Sequence, residues 1–437
     1  MISFFRFREL RGFLILWATQ AFSALGSSMT NFALIVWSYQ QQGSALTTAL
    51  LSVCSYAPYV AMSIFAGALS DKWNKKATLL ICDSAAAACT VAVLLLLRTG
   101  RLEIWHLYCL NAVNGLMNTI QQPAADVTIS LLTPKKHYQK VSGLRSLSNS
   151  LVSMLTPALA TALLALSPIE AVIAVDLFTF AAAFVSLLCF IKIPEPPEQG
   201  EPEESVWQSA RVGLRYLRQN RGILDLMLFL AGINLIASLY NAALPAMLLS
   251  KEGGGQASLG MVETVSGVAL LLGSAAASAL PAPKSRVRMI CNTLLLTMST
   301  ENFFLAFGDS LPVWCAGAVL GWIGIPLMNA NMDVLFRSTI PLAMQGRVYA
   351  ARNTLQFFTI PVGYFLGGFL VDSVMEPFMA SRAAGGGLLP ALFGRGKGSG
   401  AALLFFLLAV AGTALCLLFR RDRHIWELEG QERRPEP

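Results

Sequence analysis

Twelve long apolar runs constrain this chain more than any other feature: 12–37, 46–69, 77–97, 104–127, 145–166, 168–191, 223–249, 257–280, 289–308, 312–333, 347–375 and 400–419. A helix needs about 20 mostly apolar residues to cross roughly 30 Å of hydrocarbon. Inside lipid the backbone must satisfy its own hydrogen bonds, which leaves helices or a closed barrel. A barrel would read as short alternating segments, and these runs are continuous and too long for that. Only 13% of the 437 residues are charged and 55% are hydrophobic, against roughly 25% charged in soluble domains. The expected fold is therefore an all-α integral membrane protein with twelve transmembrane helices. Arg6, Arg8 and Arg11 ahead of Phe13–Trp17, with Ala21-Phe-Ser following, mimic a secretory leader, but the apolar character continues to Trp37, too far for one.

Charge sets the expected orientation. With an N-terminus in the cytoplasm, the inside segments collect 26 of the 32 Lys and Arg, and the outside loops hold Arg98, Arg101, Lys251, Arg382, Arg395 and Lys397. That asymmetry is what the positive-inside rule predicts for twelve spans with both termini cytoplasmic. The net charge of +7 thus reports topology and contact with the lipid bilayer, and no nucleic-acid partner is expected. The eight cysteines lie in or near apolar runs without a C-x-x-C pair, and read as small buried thiols. Three scattered histidines supply no metal cluster or nucleophilic triad. Gly394-Arg-Gly-Lys397 is followed by Gly398 where a phosphate-binding loop needs Ser or Thr. No cofactor, no metal and no enzymatic chemistry are expected.

Hydrophobicity collapses between the sixth and seventh runs. Prolines 194, 196, 197 and 202 alternate with five glutamates, an extended and solvated composition. Val206, Trp207, Ala210, Val212, Leu214 and Leu217 then interleave with Arg211, Arg215 and Arg218, as in a basic amphipathic helix at a membrane surface. The expected organisation is an N-terminal six-helix bundle (1–191), a cytoplasmic linker (192–222) and a C-terminal six-helix bundle with its tail (223–437). The halves look related. Pro134, Val141, Arg145 and Asn149 match Pro341, Val348, Arg352 and Gln356 at an offset of 207, and Asn31-Phe-Ala-Leu34 matches Asn241-Ala-Ala-Leu244 at 210. Two pseudo-symmetric bundles of this kind place a substrate site between them.

The loop between the second and third runs reads Gly67-Ala-Leu69-Ser-Asp71-Lys-Trp-Asn-Lys75-Lys76. It resembles the signature loop of the major facilitator superfamily, Gly-x-Leu-Ala-Asp-Arg-x-Gly-Arg-Lys. Asn74 replaces a glycine at a tight turn there, where Asn tolerates a left-handed conformation. The resemblance implies that Asp71 works as a cytoplasmic latch, with Gly67, Leu69, Lys75 and Lys76 completing the motif; a solvated loop with ordinary inside lysines is the plainer alternative. The corresponding loop of the second half, Leu280–Arg288, has no acid. Gly143–Ser150, Thr156–Ala160, Ala171–Asp176 and Glu263 within Val262–Ser266 are similar to the macrolide-efflux and enterobactin-exporter branch of that superfamily. Two positions depart from export members: Asn114 stands nine residues before Pro123 where they often carry arginine, and their Gly-Pro-rich motif is reduced to Thr156-Pro157-Ala158.

Polar groups inside lipid are costly and normally face a cavity or a partner. Asn111, Asn114, Asn118 and Gln121/Gln122 recur at helical spacing in the fourth run. Gln20, Ser23, Ser27 and Asn31 do so in the first run, and Asn234, Ser238 and Asn241 in the seventh. In the superfamily these spans line the cavity, so the resemblance implies a substrate pathway; helix-to-helix hydrogen bonding is the other reading. Asp176, Glu263 and Glu301 fall inside apolar runs and are candidates for carrying a coupling proton, Glu263 first because the eighth span borders the cavity in the superfamily. Arg145 and Arg352 are matched between the halves as gating charges or positive-inside anchors. The expected function is alternating-access efflux of a hydrophobic or amphipathic, drug-like small molecule by proton-coupled antiport, from a monomer in the cell membrane. A siderophore or metabolite exporter, an uptake permease, and a non-transporting receptor or scaffold remain as alternatives.

Overall fold

The computed structural model describes residues 10–134, 137–193, 206–383 and 387–432, with side chains at all of these except 63–72, 138–140, 206–210, 213–214, 342–347, 349–351, 353–354, 356 and 430–432. The described residues form helices and connecting turns with no strand among them. Nine helical stretches among them have the length and hydropathy to cross a membrane. Helices Arg11–Gln42, Ile104–Leu132 and Arg286–Phe307 occupy the three other apolar runs. Large apolar side chains such as Ile81, Leu95, Leu166, Phe178 and Leu418 stand exposed. A soluble monomer seldom tolerates so many together, whereas hydrocarbon accommodates them without cost.

Two compact units divide the chain: Met1–Ser38 with Cys54–Glu201, and Tyr39–Val53 with Pro202–Pro437. The first contains most of α1 (Arg11–Gln42) and α2 (Ala45–Lys72), followed by α3 (Lys75–Arg98), α4 (Ile104–Leu132), α5 (Tyr138–Leu166) and α6 (Ile169–Phe190). Leu16, Leu79, Ala124, Leu187 and Ile191 form one buried cluster in it, joining α1, α3, α4 and the end of α6. Trp17 Nε1 donates to the Leu144 carbonyl at 3.0 Å, tying α1 to α5. Gly115 of α4 lies directly on the Ser55 carbonyl of α2, where any Cβ would collide with backbone. Small residues permit this approach in a membrane, where packing replaces the hydrophobic drive.

Asn74 does not use the left-handed conformation that Asn tolerates. Its φ and ψ are −61° and 117°, and its side chain accepts from the Ala77 amide at 3.1 Å, capping α3. An N-cap residue is extended by nature, because its side-chain oxygen must reach forward to the first orphaned N–H groups.

The second unit takes the α1–α2 hairpin, Tyr39–Val53, and continues with α7 (Val206–Gln219), α8 (Arg221–Ser250), α9 (Gln256–Ala279) and α10 (Arg286–Phe307). Then come α11 (Leu311–Trp322), α12 (Ile325–Thr339), α13 (Leu342–Phe369), a π-helical turn (Leu370–Met375), α14 (Glu376–Ala383), α15 (Leu388–Phe393), α16 (Ser399–Arg420) and α17 (Arg423–Glu432). The run at 312–333 lies within one candidate span, Leu311–Thr339, whose helix is interrupted at Ile323–Gly324. Pro326 lacks an N–H, and its ring crowds the carbonyl four residues back. The run at 347–375 extends through the π turn to Ala383. Helix α8 is enclosed along most of its length, with Phe229, Met227, Ala243, Met247 and Leu248 fully buried.

Candidate functional site

Most acids of the apolar runs are held by donors on neighbouring helices. In the first unit, Asp83 of α3 accepts from Gln121 Nε2 of α4 at 2.6 Å and from Gln20 Nε2 of α1 at 3.4 Å. Two turns along α1, Ser27 Oγ donates to Asp176 Oδ1 of α6 at 2.8 Å. Asp176 is buried, and Gly26 leaves no space for a Cβ against its backbone. Two members of the α1 polar stripe, Gln20 and Ser27, thus meet acids of the same unit. Asn31 is exposed.

On α4, Asn111 turns its amide onto its own helix, donating to the Leu107 carbonyl at 3.0 Å. Asn114 is half-buried, and its Oδ1 is enclosed without a hydrogen bond. Asn118 and Gln122 are exposed. Arg145 pairs with Asp126 of α4 at 2.7 Å in an open setting. Such exposed pairs typically contribute 1 kcal/mol or less, roughly.

In the signature loop, the backbone of α2 remains helical to Lys72, while the side chains of Gly67, Leu69 and Asp71 lie outside the described residues. Lys76 Nζ donates to the Leu188 and Ile191 carbonyls at 2.9 and 2.8 Å. It closes the C-terminus of α6, where orphaned carbonyls and the helix dipole favour a cation. Lys75 is buried and donates to the Trp73 carbonyl at 3.2 Å.

The second unit holds a denser cluster. Glu301 of α10 is buried and accepts from Tyr240 Oη of α8 at 2.6 Å and from Trp322 Nε1 of α11 at 2.9 Å. Tyr240 packs edge-on against Phe405 and Trp322, and Gly321 provides the gap that Glu301 fills. Glu263 of α9 is half-buried and lies near Tyr240; its carboxylate has no hydrogen-bond partner among the described residues. Glu301 is thereby fixed, and Glu263 stays chemically open. Asn234 and Asn241 are half-buried on α8, and the Arg352 guanidinium sits over the Phe336 ring at 5.3 Å.

Several functional candidates escaped the sequence reading. Asp83 carried the same signal as Asp176, an acid inside an apolar run. Asp372 did too, and it accepts from Ser44 Oγ, Ala45 N and Leu46 N at 2.6, 3.0 and 2.8 Å. Tyr240 and Trp322 gave no signal, because aromatic residues are common in spans. Near the end of α16, Asp225, Asp422 and His424 converge, a set of ligating groups not expected from the sequence. His424 Nδ1 lies 3.2 Å from Asp225 and 3.5 Å from Asp422. Asp422 also accepts the His424 amide, which caps α17.

Comparison with known proteins places this architecture. Macrolide efflux protein A of Streptococcus pyogenes is 21% identical over 366 residues, 83% of this chain and 90% of that protein. Enterobactin exporter EntS of Shigella flexneri is 24% identical over 337 residues, 74% of this chain and 76% of that protein. Among solved structures, a mutant of the nucleoside transporter NupG superposes with a TM-score of 0.69 at 12% identity, covering 93% of this chain and 98% of that one. A bacterial homolog of the human lysosomal transporter Spinster gives 0.68 at 14% identity, over 98% and 99% of the two chains. The sequence profile described as Major Facilitator Superfamily matches residues 16–364. An all-helical membrane fold shared with these transporters, and a family match across most of its length, make this chain a member of the Major Facilitator Superfamily.

Proposed function

We propose that the chain is a secondary active exporter of a hydrophobic or amphipathic small molecule, working by alternating access and proton-coupled antiport. In this reading it has twelve spans, with a six-helix bundle at 1–191, a cytoplasmic linker at 192–222 and a second bundle at 223–437. Both termini are cytoplasmic, the membrane is the cell membrane, and the protein works as a monomer without covalent chemistry. Family membership supports transport, and the likeness to macrolide efflux protein A supports a drug-like cargo moving outward. The single observation that carries proton coupling is the contrast between two acids of the second unit. Glu301 is occupied by two donors, so it serves as a structural acceptor. Glu263 lies half-buried in a span with no hydrogen-bond partner among the described residues, which leaves it open to a proton or a cationic group. Asp176, held by Ser27, ranks with Glu301.

The exposed Asn31, Asn118 and Gln122, together with Asn114, Asn234 and Asn241, are assigned to the cargo pathway. Gln20, Ser27 and Asn111 are already engaged in hydrogen bonds. Asp71 is assigned to the cytoplasmic latch, and Arg145 and Arg352 to the cytoplasmic ends that move with it. The likeness to enterobactin exporter EntS favours a second reading, a siderophore or other metabolite as cargo.

Inside-out vesicles with an imposed pH gradient test the proposal. Wild-type protein is expected to accumulate a hydrophobic probe only while the gradient lasts, and Glu263→Gln to lower that accumulation at least about tenfold with normal expression. Accumulation that survives collapse of the gradient defeats proton coupling. Wild-type transport in Glu263→Gln removes that residue from the mechanism.

A further inference from the structure

The α1–α2 hairpin enters the second unit with its helix start capped from far away in sequence. The first turn of α2 presents orphaned N–H groups and the positive end of the helix dipole. Asp372, which lies in the π-helical turn Leu370–Met375, supplies a carboxylate to that turn. It accepts the Ala45 and Leu46 amides and the Ser44 hydroxyl, at 3.0, 2.8 and 2.6 Å. Charge-assisted bonds of this kind are the strong ones, and π turns recur at functional positions. Around the cap, Tyr39 Oη donates to the Ala246 carbonyl at 3.1 Å, and the Lys397 ammonium sits 5.7 Å from the centre of the Tyr39 ring.

Two features make this hold separable. Ser44 Oγ also accepts the Thr47 amide at 3.1 Å, so α2 keeps a local cap of its own when Asp372 withdraws. The hairpin also rests on a glycine: Gly368 lies against Leu46 and Ala49 and puts no side chain of its own into that contact. Glu376, one helical turn beyond Asp372, makes a useful contrast. It accepts the Gly398 and Ala401 amides at 2.9 and 3.4 Å and caps α16. The N-cap position of α16 is Gly398, which has no side chain to replace it.

We propose that Asp372 is a positioning residue of the transport cycle: its cap on α2 docks the Tyr39–Val53 hairpin, and release of that cap is the step that frees the hairpin on the outer side. The inference rests on the alternating-access and topology readings above. Ala49, 1% exposed beside Gly368, provides the reporter. Ala49→Cys is introduced into full-length protein whose exposed Cys109 and Cys189 are replaced by serine, and is labelled from outside with a membrane-impermeant maleimide.

Asp372→Asn is expected to raise the labelling rate roughly tenfold, the loss expected for a charged hydrogen-bonded partner, and to change kcat of transport more than KM. Asp372→Glu is expected to restore both toward wild type. Should Asp372→Asn fail to fold, Gly368→Ala carries the test, because its methyl group meets the Leu46 backbone and should raise labelling in the same direction. Unchanged labelling in a folded variant overturns the role of Asp372 even when cargo still moves. A wild-type protein that moves no cargo overturns the carrier reading, and with it any role in a cycle.

Discussion

At the scale of single residues, the buried acids separate into two kinds according to what surrounds them. Asp83, Asp176 and Glu301 each accept from side chains on other helices. Glu263 does not, and that difference was invisible in the sequence because all four are acids in apolar runs. The Glu301 site is sensitive to volume. Gly321→Ala places a methyl group where the Glu301 carboxylate lies, so the acid must leave Tyr240 and Trp322. The expected cost is about 1–3 kcal/mol from overpacking and two unmet donors. Thermal unfolding of the purified protein in detergent measures it, and an unchanged midpoint would show that Glu301 relocates freely.

Elements obey the run lengths and depart from them where proline or a partner intervenes. The span Leu311–Thr339 is interrupted just ahead of Pro326, whereas Pro58, Pro123, Pro157, Pro245 and Pro361 lie inside continuous helices, so proline alone did not mark the interruption. The π turn at Leu370–Met375 had no signal in the sequence either, since no residue type encodes it. Helix packing can be probed with two glycines. Gly115→Ala sets a Cβ against the Ser55 carbonyl of α2 and should destabilise the first unit by about 1–3 kcal/mol. Gly143→Ala on α5 meets nothing within 4 Å and should be neutral or up to about 1 kcal/mol stabilising, from helix propensity. Equal melting temperatures for the two variants would contradict the close approach of α2 and α4.

At the scale of the whole molecule, the charge asymmetry of the loops predicts sidedness. Arg101→Cys should react with an impermeant reagent applied to intact cells, and Lys284→Cys only after the membrane is opened. The reverse pattern would invert the topology, turn efflux into uptake in the same scheme, and move the Asp372 cap to the cytoplasmic face. The division into compact units adds a point that run-counting did not reach. One unit boundary falls inside the linker, between Glu201 and Pro202, and two more cross α1 and α2, because the Tyr39–Val53 hairpin belongs with the later helices.

Composition and run length by themselves determined the membrane and the all-helical fold, because hydrocarbon admits few backbone solutions and each leaves its mark locally in the chain. The family resemblance was legible for the same reason, because the signature loop is a short contiguous string. The partners of each polar group were decided only in three dimensions. Gln20 with Asp83, Tyr240 with Glu301 and Ser44 with Asp372 lie 63, 61 and 328 residues apart. Hydrogen bonds depend on distance and direction across helices, and no periodicity within one helix carries that information.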